Sequence, residues 1–283
     1  MRNFRKMHGL GNDFVIIDAR DDHWVPTPAI IRRIADRRRG VGCDQLVLLL
    51  PPTAPGADLL IRFFNADGTE SGACGNASRC VARLLFEKTG RGEGVLQTPA
   101  GLLPVWRAGT DRGGENLYAV DLATPEFDWD KIPLAHSQDT LRLDLSVGVL
   151  SAPCAVNVGN PHAVFFVPNV DAIDLVSLGP QIERHQLFPQ RVNVEICEVL
   201  APDRLRLRVW ERGVGITPAC GSGAVATAVA AARRGLVERR VNVVLDGGEL
   251  QVEWRANNRA ILIGSASALF TGQLSAESLG EPS

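Results

Sequence analysis

Two of the six cysteines stand where a thiol could take part in acid–base chemistry. Cys220 opens the stretch CGSGAVATAVAAARRG, in which small apolar residues at helical spacing run to a stop at Gly235. Cys74 opens a similar stretch, CGNASRCVARLLFEKTG, which stops at Gly90. Backbone N–H groups at a helix N-terminus favour a thiolate or a bound anion. The pattern predicts two thiols at the starts of two buried helices; for either cysteine alone, a small residue in a tight turn is the alternative.

These two stretches belong to a two-copy repeat that covers most of the chain. Cys74 and Cys220 lie 146 residues apart, and the polar residues nine positions before them keep the same separation. Further upstream, amides at the starts of strand-like runs recur with a separation of 148 residues. The matched polar pairs are Asn65 with Glu211, Asn12 with Asn160, and Gln45 with Asn193. A period this long indicates two homologous domains rather than a solenoid.

Each half alternates short strand-like runs with one or two helices, which predicts an α+β fold. We expect two pseudo-symmetric domains, each a curved sheet wrapped around a buried helix. The predicted N-terminal domain comprises residues 1–118 plus 265–283 and carries Cys74, and the C-terminal domain, residues 119–264, carries Cys220. A linker is expected near Tyr118–Pro125, and the late run SASALFTGQL could return to the first domain. Helices are expected to open at Pro28 and at Pro180.

Composition narrows the class of protein. The chain has 283 residues, a net charge of -2 and a pI near 6.2, which argue against a nucleic-acid partner. No signal-like segment or run of membrane-spanning length appears, so we expect a cytoplasmic protein with reduced thiols and no membrane partner. Cys-x-x-Cys is absent and there are only three lysines, so neither a metal site nor pyridoxal phosphate (PLP) is expected, and no cofactor is predicted.

Two thiols that act on one carbon from opposite faces can invert it, because one face needs a base and the other an acid. A thiol and a thiolate work in either direction, since each turnover leaves the pair in the reverse protonation state. We expect the site between the two domains, where ligand sites are common. The backbone at Gly75–Asn76 and Gly221–Ser222 could hold a substrate carboxylate and stabilise the charge that develops on it.

Amides at matched positions of the repeat, together with the charged pair Glu211–Arg212, suit a ligand with both carboxylate and ammonium groups. They are Asn12, Gln45, Asn65, Asn160, Asn193, Glu211 and Arg212. A lone Asn–Gly or Gly–Asn is more often a turn, but recurrence at matched offsets weakens that alternative. His162 follows GNP and could tune the pKa of a thiol, with a structural role as its alternative. The remaining cysteines are most simply buried packing residues: Cys43, Cys80, Cys154 and Cys197.

The stretches HGLGNDF, FNADGTE with CGN, GNPH, RVN and ERGVGITPACGSG, in this order and spacing, closely resemble the diaminopimelate epimerase family. The resemblance spans Phe4 to Thr271 and implies a PLP-independent isomerase that interconverts LL- and meso-2,6-diaminopimelate in lysine and peptidoglycan-precursor biosynthesis. It implies Cys74 and Cys220 as the catalytic acid/base residues, the polar residues above as substrate-binding groups, and a homodimer. Ala77–Ser78, Trp210 and Ile216 depart from residues usual in the family, away from the proton-transfer and substrate-holding positions.

Three other functions compete with this interpretation. A related two-cysteine racemase, similar to proline racemase, would need fewer polar contacts far from the reacting carbon. A non-catalytic amino-acid-binding protein would need no thiol. A thiol redox protein is disfavoured by the missing Cys-x-x-Cys. Exchange of the substrate α-hydrogen with D2O separates an epimerase from the last two.

Overall fold

The computed structural model describes residues 1–275 and 279 of the chain. The chain divides into two compact units, Met1–Val120 with Gly264–Ser283, and Asp121–Ile263. The boundary between Val120 and Asp121 falls inside the strand Asn116–Ala123. The stretch expected to be a linker therefore begins within a β-strand. Residues 276–278 and 280–283, which the predicted N-terminal domain includes, lie outside the described residues. In the described part, no helix is both long and apolar enough to cross a membrane.

The first unit consists mainly of strands, with two α-helices among its described residues. Its strands are β1 (Arg2–Gly9), β2 (Asn12–Asp18), β3 (Gln45–Leu50), β4 (Leu59–Asn65), β5 (Glu70–Ser71), β6 (Glu93–Thr98), β7 (Gly101–Thr110) and β8 (Asn116–Ala123). The helices are α1 (Pro28–Ala35) and α2 (Gly75–Thr89). Helix α1 begins at Pro28, as predicted, and the Thr27 hydroxyl accepts a hydrogen bond from the Ile30 N–H at 3.4 Å.

The second unit has the same kind of composition. Its strands are β9 (Ser146–Val147), β10 (Leu150–Ser151), β11 (Cys154–Asn157), β12 (Pro161–Phe166), β13 (Asn193–Ala201), β14 (Arg204–Glu211), β15 (Gly215–Thr217), β16 (Arg240–Leu245), β17 (Gly248–Trp254) and β18 (Ala260–Ser265). Its helices are α3 (Leu175–Glu183) and α4 (Gly221–Arg233), with a 3₁₀ turn at Val170–Ala172. The last strand, β19 (Ser267–Leu274), belongs to the first unit and pairs antiparallel with its β1.

Both units pair their strands in the same order. In the first unit, β2 and β3 are parallel, β3 and β4 antiparallel, and β4 and β6 parallel, with β5 antiparallel on β4. In the second, β12 and β13 are parallel, β13 and β14 antiparallel, and β14 and β16 parallel, with β15 antiparallel on β14. The register also repeats, because Phe14 pairs with Gln45 and His162 pairs with Asn193. The predicted α+β fold of two pseudo-symmetric domains is confirmed.

The two helices that follow the cysteines start where the sequence predicts. Helix α2 ends at Gly90, whose φ of 71° is the left-handed conformation that glycine adopts without steric cost. Helix α4 is apolar on nearly every face, and its residues from Gly223 to Ala231 are all buried. It contacts strands of its own unit from β11 to β17, so small alanine side chains allow a close approach of helix and sheet.

Helix α3 differs from the prediction. It begins at Leu175, where the Asp174 carboxylate caps it by accepting from the Ser177 N–H at 3.2 Å, and Pro180 lies inside it rather than at its start. A proline in the second turn loses only the hydrogen bond to the residue four positions earlier, and the Asp174 cap fixes the true N-terminus.

Candidate active site

Cys74 caps helix α2 and lies next to an asparagine from the sheet. Its Sγ accepts a hydrogen bond from the Ala77 N–H at 3.5 Å, and its backbone has the extended conformation typical of an N-cap. The thiol also lies 3.9 Å from Asn12 Oδ1, to which it can donate. Asn12 is the first residue of β2, so the strand start and the helix start meet at this thiol. The structure thereby joins two residues that the sequence predicts as parts of one site.

A buried relay holds the Asn12 amide. Its Oδ1 accepts from Asn76 Nδ2 at 3.2 Å, and Asn76 Oδ1 accepts from Arg79 Nη2 at 2.9 Å. Arg79 is fully buried, and it also donates to the backbone carbonyls of Gly75 and Ser265. Burial lowers the pKa of the Arg79 guanidinium to about 10. The orientation of the Asn12 amide is therefore tied to a buried cation in helix α2.

Gln45 and Asn65 form a second polar pair at the same sheet edge as Asn12. They are cross-strand partners at the start of β3 and the end of β4, and Gln45 Nε2 donates to Asn65 Oδ1 at 2.9 Å. Asn65 Nδ2 in turn donates to the Thr69 hydroxyl at 3.0 Å. Gln45 Oε1 is buried and has no hydrogen-bond partner among the described residues. A buried acceptor without a partner can accept a hydrogen bond from a ligand, for example from an ammonium group.

Cys220 caps helix α4 as Cys74 caps helix α2. Its Sγ accepts from the Gly223 N–H at 3.3 Å and lies 3.5 Å from the Ser222 hydroxyl. The residue is only 6% exposed, and burial followed by the charge of Glu211 raises the pKa of its thiol well above the ordinary value. The Gly223 N–H at the helix N-terminus and the Ser222 hydroxyl lower this pKa, as expected of a helix start, but burial and the Glu211 charge act in the opposite direction and are larger.

A buried histidine and glutamate lie behind Asn160. His162 Nδ1 is 2.6 Å from Glu195 Oε1, and His162 Nε2 is 2.8 Å from Asn160 Oδ1. Both ring and carboxyl are completely buried between β12 and β13. Asn160 Nδ2 is directed to the Ser222 hydroxyl at 3.5 Å, next to Cys220. The structure thus brings Asn160, His162, Ser222 and Cys220 together.

The remaining predicted residues of the second unit lie at the adjoining strand ends. Asn193 donates through Nδ2 to the Pro161 carbonyl at 3.0 Å and accepts at Oδ1 from the Arg212 backbone N–H at 2.9 Å. The Arg212 guanidinium is exposed and donates to the Gln190 carbonyl at 3.0 Å. The Glu211 carboxylate accepts from the Thr217 hydroxyl. Asn193 consequently fixes the backbone from which Arg212 projects.

Sequence reasoning missed two buried charged residues, Arg79 and Glu195. Each lies next to a polar group of the repeat, yet the other copy has no charged residue at the matching position. Val225 matches Arg79, 146 residues later, and Val47 matches Glu195, 148 residues earlier. A charged residue in the otherwise apolar run NVEIC was the available signal for Glu195. The other cysteines are buried, as predicted, and none of the six, all of which lie in the described part of the chain, forms a disulfide.

The residues that depart from the usual family pattern have ordinary structural roles. Ala77 is buried and supplies the N–H that contacts Cys74, while the Ser78 hydroxyl donates to the Cys74 carbonyl at 2.9 Å. Trp210 Nε1 donates to the buried Glu183 at 2.7 Å. Ile216 is 39% exposed on β15. No group of three histidine, cysteine or acidic side chains within the described residues could hold a metal ion.

Comparison with known proteins gives one consistent result. The family model for diaminopimelate epimerase matches residues 4–114 and 154–269. A diaminopimelate epimerase of Rhodospirillum centenum is 54% identical over 275 residues, covering 97% of this chain and 93% of the relative. Another, from Phenylobacterium zucineum, is 50% identical over 277 residues, covering 96% and 98%.

Solved structures share the fold at much lower identity. A phenazine biosynthesis protein of the PhzF family from Bacillus anthracis superposes with a TM-score of 0.70 at 16% identity, covering 97% of this chain and 99% of that one. A probable proline racemase from Agrobacterium radiobacter K84 superposes with a TM-score of 0.67 at 18% identity, covering 97% and 93%. At these identities the similarity shows the fold alone.

Proposed function

Because this chain belongs to the diaminopimelate epimerase family, we propose that Cys74 and Cys220 are the two acid/base groups of its reaction. The protein is an isomerase that interconverts LL- and meso-2,6-diaminopimelate. The observation that carries the assignment is the repeated arrangement of a thiol capping a helix and an asparagine beside it, Asn12 for Cys74 and Asn160, through Ser222, for Cys220.

The reaction moves one proton off the substrate and another onto it. The thiolate of one cysteine takes the Cα proton, and the electron pair of the broken C–H bond delocalises into the adjacent carboxylate. The thiol of the other cysteine then protonates the carbon on its opposite face and becomes the thiolate. Atoms and charge balance without a redox partner, and the two cysteines have exchanged protonation states.

The structure supports Cys220 as the acid in the free enzyme. Its thiol is 6% exposed, and the charge of the nearby Glu211 carboxylate disfavours a second negative charge. In this scheme Cys74 gives up the proton that it can donate to Asn12 Oδ1, and the resulting thiolate starts the turnover in which Cys220 donates the proton. The reverse direction then starts from the opposite protonation state.

The substrate carboxylate next to the reacting carbon needs hydrogen-bond donors. The same donors must stabilise the negative charge that spreads onto the carboxylate when the Cα proton leaves. The N–H groups of Gly75–Asn76 and Gly221–Ser222 lie in the first turns of α2 and α4, where the helix itself offers no acceptor. Donors fixed in this way stabilise developing charge without reorganisation. We assign these N–H groups to the reacting carboxylate.

The distant end of diaminopimelate carries a second carboxylate and a second ammonium group. The exposed Arg212 guanidinium suits the carboxylate, since its planar fork can donate two parallel hydrogen bonds. Glu211 and amide oxygens such as Gln45 Oε1 suit the ammonium group. Asn12, Asn65, Asn160 and Asn193 complete the proposed binding set, in which binding energy from the distant end positions the reacting carbon.

Two single variants test the assignment of the thiols. We expect Cys74→Ala and Cys220→Ala each to abolish conversion of LL-diaminopimelate to the meso form, since neither thiol can serve both faces. Conversion is measured by chiral chromatography without added cofactor, with Cys197→Ala as the control because this buried cysteine takes no part in the scheme. Substantial conversion by either active-site variant would refute the two-base assignment.

The proposal also covers the oligomeric state of the protein and the pathway in which it works. We propose a homodimer that works in the cytoplasm, in lysine and peptidoglycan-precursor biosynthesis, because the family resemblance implies this setting. Sedimentation equilibrium of the purified chain tests the first part: a mass of one chain at micromolar concentration would contradict it.

A further inference from the structure

The pair His162 and Glu195 has no counterpart in the first unit, although the surrounding strands repeat. Residues at the matching positions are Phe14 and Val47, both completely buried and apolar, and both copies place them on two parallel strands in the same register. An apolar pair therefore suffices to build these two strands. The ionisable pair in the second unit needs a different explanation.

Hydrogen-bond geometry determines where the His162 protons lie. The Asn160 amide directs Nδ2 to Ser222, so its Oδ1 faces His162. Because an amide oxygen can only accept a hydrogen bond, His162 Nε2 must carry a proton. At the other ring nitrogen, Nδ1 and Glu195 Oε1 share one proton at 2.6 Å. Whether that proton sits on nitrogen or on oxygen, the pair has no net charge.

Burial excludes the state in which the His162–Glu195 pair holds one proton fewer. A Glu195 carboxylate facing a neutral Nδ1–H would leave a net negative charge at a completely buried site, where Oε2 has no partner among the described residues. Burial also raises the pKa of the Glu195 carboxyl. The pair therefore retains the proton that keeps Nε2 a donor.

We propose that Glu195 is a positioning residue that, through His162, holds the Asn160 amide with its NH2 group towards Ser222 and the reacting centre. With an apolar residue at 195, neutral His162 can carry its proton on either nitrogen, and the Asn160 amide can turn over to match. The inference rests on the proposed function, because it takes Asn160 as a substrate-binding residue.

The first unit also fixes its asparagine, but with the opposite end of the amide towards the thiol: Asn12 Nδ2 donates to Asp44 at 2.9 Å, and its Oδ1 faces Cys74. There the Oδ1 of Asn12 is held by Asn76, which is held by the buried Arg79. The residue that matches Arg79 in the second unit is Val225, which is completely buried and apolar. Each asparagine is thus oriented by a relay that ends in a buried ionisable residue, built from different positions in the two copies. Each unit therefore fixes its asparagine in one orientation, although the end of the amide that faces the thiol differs between the copies.

A double-mutant cycle tests the proposal with Glu195→Val, the residue found at the matching position, and Asn160→Ala. We expect Glu195→Val to lower kcat/KM about ten-fold in the wild-type background, the scale of one misplaced buried hydrogen bond. In the Asn160→Ala background the same change should cost less than about two-fold, because the group it positions is gone. Cys197→Ala, on the same strand, should cost about two-fold or less in both backgrounds.

The outcomes separate this inference from the proposed function. A ten-fold loss from Glu195→Val in both backgrounds means that Glu195 acts on the fold in general, and overturns the inference. An Asn160→Ala variant with wild-type kcat/KM removes the binding role of Asn160 itself. A loss confined to the background that contains Asn160 supports both.

Nitrogen-15 NMR of the histidine rings gives a readout that does not depend on activity. The chain has five histidines, and His162→Phe identifies the signals of His162. We expect a protonated Nε2 in the wild type and a shift of both ring nitrogens towards the Nδ1–H tautomer in Glu195→Val. Identical His162 ring shifts in the two proteins would overturn the proposal even where Asn160→Ala is too slow to assay.

Discussion

The third residue of helix α4 tests how closely the second thiol is packed. Gly223 donates its N–H to Cys220 and lies against Glu195. A methyl group added here would lie 3.2 Å from Glu195 Oε1 and 3.3 Å from Cys220 Sγ. Contacts of this length are tighter than ordinary ones, so the thiol and the carboxyl group must move by a few tenths of an ångström. Both groups are buried, so the shift is transmitted to the residues that they hold.

The expected effects on stability and on activity differ in size. Alanine in place of a helical glycine favours the folded state by about 0.5–1 kcal/mol, and overpacking opposes it by about 1–3 kcal/mol. The free energy of unfolding should therefore fall by no more than about 2.5 kcal/mol. Activity has no compensating gain: since a 1 Å displacement in an active site can cost about 100-fold, a few tenths of an ångström at the thiol should lower kcat/KM roughly ten-fold.

The assay compares initial rates of LL-diaminopimelate conversion with urea unfolding of the same preparations. Gly92→Ala is the matched control, because a methyl group added there meets no atom within 4 Å. We expect the control to retain wild-type kcat/KM. If Gly223→Ala also kept kcat/KM within about two-fold of wild type, the close packing of Cys220 against Glu195 would have no catalytic consequence, and the reasoning would be refuted.

Two further predictions concern Arg212 and Glu211. Arg212→Lys should not restore what Arg212→Ala loses, about ten- to a hundred-fold in kcat/KM for LL-diaminopimelate, because an ammonium group cannot reproduce the guanidinium fork; a lysine variant equal to wild type would contradict bidentate binding. Glu211→Gln removes a negative charge that raises the pKa of the Cys220 thiol, so that pKa should fall and the thiol should ionise at lower pH. The rate of iodoacetamide alkylation against pH, measured in a Cys74→Ala background, checks the direction, and an unchanged or higher midpoint would disprove it.

Regular features of the fold were predictable because each depends on residues close in sequence. Helix α2 starts at a capping side chain and stops at a glycine in the left-handed conformation, and both signals are local. The start of α3 was missed because two signals competed, Pro180 and the Asp174 cap, and the cap prevailed. The stretch after Tyr118 was expected to be a linker, and the division between the units does fall there, but the stretch begins inside β8, whose pairing with the preceding strand β7 residue composition does not report.

The candidate site was predictable where the two copies agree. Cysteines and amides recur at fixed offsets, and the structure brings Asn12 to Cys74 and Asn160 to the Ser222 hydroxyl beside Cys220. The ionisation of Cys220 was not predictable, since it depends on how far burial outweighs a helix N-terminus. Desolvation follows from the strands that surround α4, and no local pattern measures it.

The differences between the copies carry the chemistry that a symmetric repeat lacks. On the Cys74 side the buried ionisable residue is a cation, Arg79, whereas the Glu211 carboxylate lies near Cys220. Two identical half-sites would give both thiols the same proton affinity, so the free enzyme would hold its single shared proton on either one. Opposite charges remove that degeneracy, since a cation favours a thiolate and carboxyl groups favour a thiol. The repeat therefore supplies two equivalent places for a thiol, and under the proposed two-base scheme we expect the residues that break the repeat to decide which thiol begins as the acid.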